Sequence, residues 1–206
     1  MKHLLLNALR DNQLTLNEAT IDKLVHYLDM LKTWNKVFNL TSITDPREMV
    51  YLHIIDSLLT APHLKGGTRF LDVGSGAGLP GIPLAIMHPE QEWVLLDKNN
   101  KKTRFMTQAI AELKLPKVQT VHTRVEDFQP EHGFDGILSR AYATLALFIK
   151  TTRHLINKNG TFIAMKGKYP HDEIAALADL AGETTITPLT MNGMALDRHI
   201  VCVKPV

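Results

Sequence analysis

The sequence predicts an α/β fold: a mostly parallel, Rossmann-like seven-stranded sheet whose last strand is antiparallel, preceded by a helical extension. Three observations carry this. From residue 69 onward, strand-like and helix-like segments alternate, which builds a parallel sheet covered on both faces through right-handed crossovers. The first strand runs into a glycine-rich turn, Phe70-Leu-Asp-Val-Gly-Ser-Gly-Ala-Gly-Leu-Pro-Gly-Ile-Pro-Leu-Ala85, and then a helix. The last two strands are joined only through Thr190-Met-Asn-Gly-Met-Ala195, too short for a parallel crossover, so they form an antiparallel pair.

The elements follow in order. Thr15-x-x-Glu18 has the form of a capping box, and Ile21, Leu24, Val25, Leu28 and Leu31 follow at helical spacing. Asp45-Pro46-x-Glu48 starts another helix, with an N-cap acid and proline at the first helical position. Ile54, Ile55, Leu58 and Leu59 give it an apolar face. Leu64-Lys-Gly-Gly-Thr68 breaks the pattern and marks a boundary: residues 1–66 form a helical subdomain and 67–206 the ligand-binding domain. Strands are expected at Arg69–Val73, Trp93–Asp97, Val118–Val121, Gly136–Ser139, Gly160–Met165, Glu183–Leu189 and His199–Val203. Helices are expected at Leu79–Met87, Lys101–Leu113, Thr144–Ile156 and Asp172–Leu180.

Composition narrows the class. A chain of 206 residues with 45% apolar content buries a substantial core. The net charge of +2 does not by itself point to nucleic acid, so the placement of the basic residues decides. The single cysteine, Cys202, excludes an internal disulfide and sits in the apolar run Ile200–Val203 as a packed thiol. The start, MKHLLLNALRDN, lacks the form of a secretory signal, and no apolar run approaches membrane-spanning length. The expectation is a cytoplasmic protein without a membrane partner.

The glycine turn sets the ligand. Gly74, Gly76 and Gly78 follow a GxGxG pattern, whereas a dinucleotide fingerprint reads GxGxxG; its third glycine position is Leu79 here. Asp72 precedes the turn, and an anion there favours a cationic ligand and opposes a diphosphate. Asp97 ends the second strand, where a carboxylate grips a ribose diol in such sheets. S-adenosylmethionine satisfies both: it carries ammonium and sulfonium charge, a ribose and an adenine, and no phosphate.

The match then becomes closer than fold. Asp72-Val-Gly-Ser-Gly-Ala-Gly-Leu-Pro-Gly-Ile-Pro-Leu84 resembles the signature of the bacterial 16S ribosomal RNA guanine-N7 methyltransferases, the glucose-inhibited division protein B family. Supporting pieces run nearly end to end: Trp34-Asn-Lys-x-x-Asn-Leu-Thr-Ser42, His53-Ile-Ile-Asp-Ser57, Arg124-Val-Glu126, Ser139-Arg-Ala141, Lys166-Gly167 and Arg198-His199. The resemblance implies a class I S-adenosylmethionine-dependent methyltransferase sheet with an N-terminal helical extension. It implies donor contacts at Gly74, Leu79, Val125, Glu126 and Arg140. The reaction implied is methylation of N7 of one guanine in 16S rRNA of the small ribosomal subunit, releasing S-adenosylhomocysteine.

The residues suit that chemistry. N7 of neutral guanine already carries an in-plane lone pair, so positioning suffices and no general base is required. The chain offers no Ser/His/Asp or Cys/His set, and His53 with Asp56 lacks the further ligands a metal site needs. Glu126 or Asp127 is expected to accept from the adenine amino group, the alternative being a solvated loop acid. For Arg140 the residues leave two roles open: contact with donor or RNA, and an ion pair with Asp72, Asp97 or Glu126. Trp34 reads as a core anchor, with base stacking as its alternative.

The basic residues Lys98, Lys101, Lys102, Arg104, Arg124, Arg140, Lys166 and Lys168 all follow strands at one sheet edge, which expects a polyanionic partner around the donor pocket. Lys101, Lys102, Arg104, Arg124, Lys166, Arg198 and His53 are the RNA-contact candidates; no DNA partner is expected, and the chain reads as a monomer. A small-molecule methyltransferase or a non-catalytic RNA- or ribosome-binding factor on the same fold are the alternatives.

Overall fold

The computed structural model describes residues 1–177 and 180–206. Helices α1 (Lys2–Asp11) and α2 (Glu18–Phe38) open the chain. The cap of α2 corrects the capping-box expectation: Asn17, not Thr15, occupies the N-cap, and its side chain accepts the Thr20 N–H. Asn17 directly precedes the first helical turn in extended backbone, which is the geometry the cap requires. Ile21, Leu24, Leu28 and Leu31 are buried as their spacing demands, while Val25 is only half-buried. Tyr27 joins that face, its hydroxyl donating to the Ala77 carbonyl of the glycine turn at 2.7 Å.

Asp45 caps α3 (Pro46–Met49), its carboxylate accepting the N–H groups of Arg47 and Glu48. The helix then widens into a π-helical turn, Val50–Ile55, before α4 (Asp56–Leu58). Here the Asp56 N–H reaches five residues back to the Tyr51 carbonyl.

The sheet comprises β1 (Arg69–Val73), β2 (Glu92–Asp97), β3 (Val118–His122), β4 (Phe134–Arg140), β5 (Ile156–Lys166), β6 (Thr184–Pro188) and β7 (His199–Val203), in the order β3-β2-β1-β4-β5-β7-β6. Strands β1 to β5 pair in parallel; β7 runs antiparallel to both neighbours, β5 and β6. The chain moves outward from β1 to β3, then crosses back to lay β4 on the other side of β1. That reversal opens a crevice beyond the carboxyl ends of β1 and β4, where open α/β sheets receive ligands.

Helices α5 (Gly81–Met87), α6 (Asn100–Glu112), α7 (Leu145–Thr152) and α8 (His171–Ala175) cover the faces. Helix α5 starts later than the expected Leu79, at Gly81, whose N–H donates to the buried Asp72 carboxylate. Helix α7 stops at Thr152 and a 3₁₀ turn, Arg153–Leu155, leads into β5, which begins well before the expected Gly160. Of the helix expected over Asp172–Leu180, α8 covers the first part, and residues 178 and 179 lie outside the described residues.

Strand alternation divides the core into two apolar clusters, one on each face. Trp93 and Leu95 of β2 face α2, α5 and α6, with Phe70 stacked on Trp93 at a centroid distance of 4.9 Å. Val94 and Leu96 point the other way, with Leu71, Val73 and Phe148. The N-terminal helices share the first cluster with the sheet, so they are built onto one of its faces.

Candidate active site

The turn after β1 places backbone where a side chain would obstruct. Gly74 has φ +68°, and a Cβ there would stand 2.9 Å from Tyr142 Cδ2. Gly76, at φ +60°, donates its N–H to Asp97 Oδ2 at 2.9 Å, tying the turn to the end of β2. The other Asp97 oxygen accepts the Asn99 N–H at 2.8 Å. Each carboxylate oxygen keeps a further acceptor position after these bonds.

Four of the remaining turn amides are also committed. Those of Gly74 and Ser75 donate to the Leu96 carbonyl, and those of Gly78 and Leu79 to the Ser75 carbonyl. A phosphate-binding turn needs such amides free to point at the anion. This turn therefore suits a ligand without phosphate.

Asp72 lies beneath the turn, fully buried. Its Oδ2 accepts the Gly81 N–H at 3.0 Å, and its Oδ1 has no partner among the described residues. Burial pushes its carboxyl up to about 7, opposed by the Gly81 hydrogen bond and by the positive charge of Arg140.

A cleft of about 480 Å³ opens at the carboxyl edge, lined by Gly74, Asp97, Lys102, Arg124, Glu126 and Tyr142 among others. Val125 contributes to its wall. The cleft thus brings together Gly74, Asp97, Val125 and Glu126 from the expected donor set. Two residues expected to face RNA, Lys102 and Arg124, also line it. Asp72, Gly76, Gly78 and Leu79 do not line it; Leu79 is buried in the core, and the others shape the turn from behind. Tyr142 was missed, although an aromatic immediately beyond β4 lies where the crevice must open. The fit for S-adenosylmethionine is good: acidic acceptors at two strand ends, close backbone approach at Gly74, and no free amide cradle.

A second cavity, about 420 Å³, adjoins the first; Ala141 lines both. Arg140 points into this second cavity, not into the donor cleft. It donates to the Leu52 carbonyl at 2.7 Å and stands 3.6 Å from Asp56 Oδ2. Its ion pair is therefore with Asp56, which corrects the expected pairing with Asp72, Asp97 or Glu126. Arg198 donates from Nε to Asp56 Oδ1 at 2.9 Å. His53 is buried beside them, its Nε2 at 3.2 Å from Thr41 Oγ1. Burial, reinforced by Arg140, pushes the His53 imidazole down to about 4, so the ring is neutral at physiological pH.

The other basic candidates separate. Lys166 pairs with Glu173 at 2.8 Å and donates to the Ala143 carbonyl, so its charge is already answered. Arg104 lies apart from the donor cleft, beside Trp34, Thr107 and His122. Trp34 packs on Phe38 and Phe105 at 5.2 and 5.6 Å between ring centroids, which fits the core-anchor reading. Lys101 is exposed.

Comparison with known proteins identifies the family. The family model described as rRNA small subunit methyltransferase G matches residues 20–201. A protein of Vibrio cholerae named ribosomal RNA small subunit methyltransferase G is 50% identical over 192 residues, covering 93% of this chain and 91% of that protein. Its namesake in Cronobacter sakazakii is 46% identical over 204 residues, covering 99% and 98%. Among solved structures, a SAM-dependent methyltransferase from Aquifex aeolicus superposes with a TM-score of 0.64 at 16% identity, over 82% of this chain and 97% of that one. The glycopeptide N-methyltransferase MtfA complexed with S-adenosylhomocysteine gives a TM-score of 0.62 at 10% identity, over 74% and 90%. Those two likenesses establish the methyltransferase fold; the sequence matches go further, and the chain belongs to the rRNA small subunit methyltransferase G family of S-adenosylmethionine-dependent enzymes.

Proposed function

We propose that this protein transfers a methyl group from S-adenosylmethionine to N7 of one guanine in the 16S rRNA of the small ribosomal subunit. The observation that carries this is the cleft beyond β1 and β4, rich in acceptors, poor in free amides, and sharing Ala141 with an adjoining arginine-lined cavity. Family membership supplies the acceptor class.

Bound S-adenosylmethionine supplies an electrophilic methyl group on a positively charged sulfur. Asp97 accepts from the ribose hydroxyls with the lone pairs its two backbone bonds leave over. Glu126 accepts from the adenine amino group, and Val125 supplies an apolar wall. Asp72, Gly76, Gly78 and Leu79 act on the ligand through the shape and charge of the turn. The acceptor nitrogen needs no deprotonation, so the protein's work is to align it and to exclude water.

Arg124, Lys98 and Lys102 at the cleft, with exposed Lys101 beside it, meet RNA phosphates. The chain acts as a monomer in the cytoplasm. The test is to incubate the protein with methyl-labelled donor and each ribosomal subunit from cells lacking this gene. Label in small-subunit RNA alone is expected. Donor binding with no label in RNA would favour a small-molecule acceptor, and absence of donor binding a non-catalytic factor.

A further inference from the structure

The second cavity assembles groups from three distant parts of the chain: Asp56 from α4, Arg140 at the end of β4, and Arg198 just before β7. We infer that it holds the target guanine itself, with the Asp56 carboxylate accepting from the N1–H and N2–H groups of its Watson–Crick edge. This rests on the methyl-transfer reading above and adds to it which residue distinguishes guanine from the other bases.

The carboxylate is held in a defined orientation. Arg198 bonds one oxygen at 2.9 Å, Arg140 stands 3.6 Å from the other, and the Asp56 side chain is only 5% exposed. The π-helical turn assists this: it presents the Leu52 carbonyl to Arg140 at 2.7 Å, steadying the guanidinium. Two oxygens so braced each retain an acceptor position. Guanine is the standard base with two adjacent N–H donors on one edge. Adenine and cytosine place an acceptor beside their amino group, and uracil has a single N–H.

The placement also suits the chemistry. N7 lies across the purine from the N1/N2 edge, so a base gripped at Asp56 directs N7 away from it. Ala141 lines both this cavity and the donor cleft. Ala141 holds φ 55°, a left-handed conformation that a non-glycine residue seldom adopts. The turn sends Arg140 into one cavity and Tyr142 into the other. Met165, Ile43 and Leu52 provide apolar wall for the ring faces. His53, 2% exposed, contributes to the same wall. A phosphate would instead meet the Asp56 carboxylate between the arginines, which opposes an anion.

The pocket reads an edge that is paired in a duplex, so the target base must be unpaired and turned out of its stack. The test compares small subunits assembled on 16S rRNA bearing guanosine or inosine at the methylated position; inosine lacks only the 2-amino group. The wild-type protein is expected to prefer guanosine by roughly 5- to 100-fold in kcat/KM, the range of one base-edge contact pair. Asp56→Asn should bring that ratio close to one while donor affinity, measured by calorimetry, is kept. A wild-type protein indifferent to inosine overturns the inference, as does a variant that keeps the wild-type ratio. Should Asp56→Asn not fold, the wild-type ratio alone decides. Failure of the methyl-transfer reading looks different: the guanosine-bearing subunit itself would take no label.

Discussion

The carboxylate of Asp72 accepts the Gly81 N–H at 3.0 Å from a position fully buried beneath the glycine turn. Its carboxyl is raised from 3.8 to about 7 by burial, so the native state holds a proton that the unfolded chain releases. That contribution to stability is fully present below about pH 4 and is lost as the pH rises through about 7. Asp72→Asn keeps the acceptor and removes the titration. Its stability relative to wild type should therefore increase between pH 4 and 7 by up to about 1.4 kcal/mol per pH unit. Urea unfolding of both proteins across that range measures it; a difference independent of pH would contradict it.

Gly81→Ala tests the same contact sterically. Its Cβ would run into Leu95 Cδ2 and stand 2.9 Å from Asp72 Oδ2. A loss of about 1–3 kcal/mol in unfolding free energy is expected, the usual cost of overpacking. Stability equal to wild type would mean that α5 is free to shift.

Gly76→Asp acts on the ligand. The position has φ +60°, which aspartate tolerates better than most residues, but its carboxylate would stand beside Asp97 and the Lys102 ammonium. Donor binding should fall at least about 100-fold by calorimetry, well beyond the 1–2 kcal/mol of backbone strain. Retained affinity would remove the turn from the donor site.

Lys101 and Lys102, adjacent in sequence, should behave differently. Lys101 is exposed, whereas Lys102 lines the donor cleft. Lys101→Ala should weaken RNA binding and lower its salt slope by about 0.7–0.9 with donor affinity unchanged. Lys102→Ala should weaken both. Equal effects on donor affinity would contradict the division.

Much of this was legible in the sequence, for identifiable reasons. The sheet followed from strand–helix alternation, and the antiparallel end from one short connection, because both are local features of chain length and pattern. Asp45 was read correctly as a cap since a cap is decided within four residues; Thr15 was not, because Asn17 competes within the same few residues. The π-helical turn at Val50–Ile55 left no signal, as its i to i+5 bonds are selected by tertiary contacts such as Arg140 on the Leu52 carbonyl. Asp56 and Arg198 are 142 residues apart, and no spacing rule brings them together. Likewise, nothing in the run Lys101–Arg104 tells which helix face looks into the cleft.

The most direct test of the central claim maps the labelled product. Small subunits from cells lacking this gene would be treated with the protein and methyl-labelled S-adenosylmethionine, and their RNA digested and analysed by mass spectrometry. The account predicts one 7-methylguanosine at one site in 16S rRNA. Label on another atom or another base, or spread over many guanines, would contradict it.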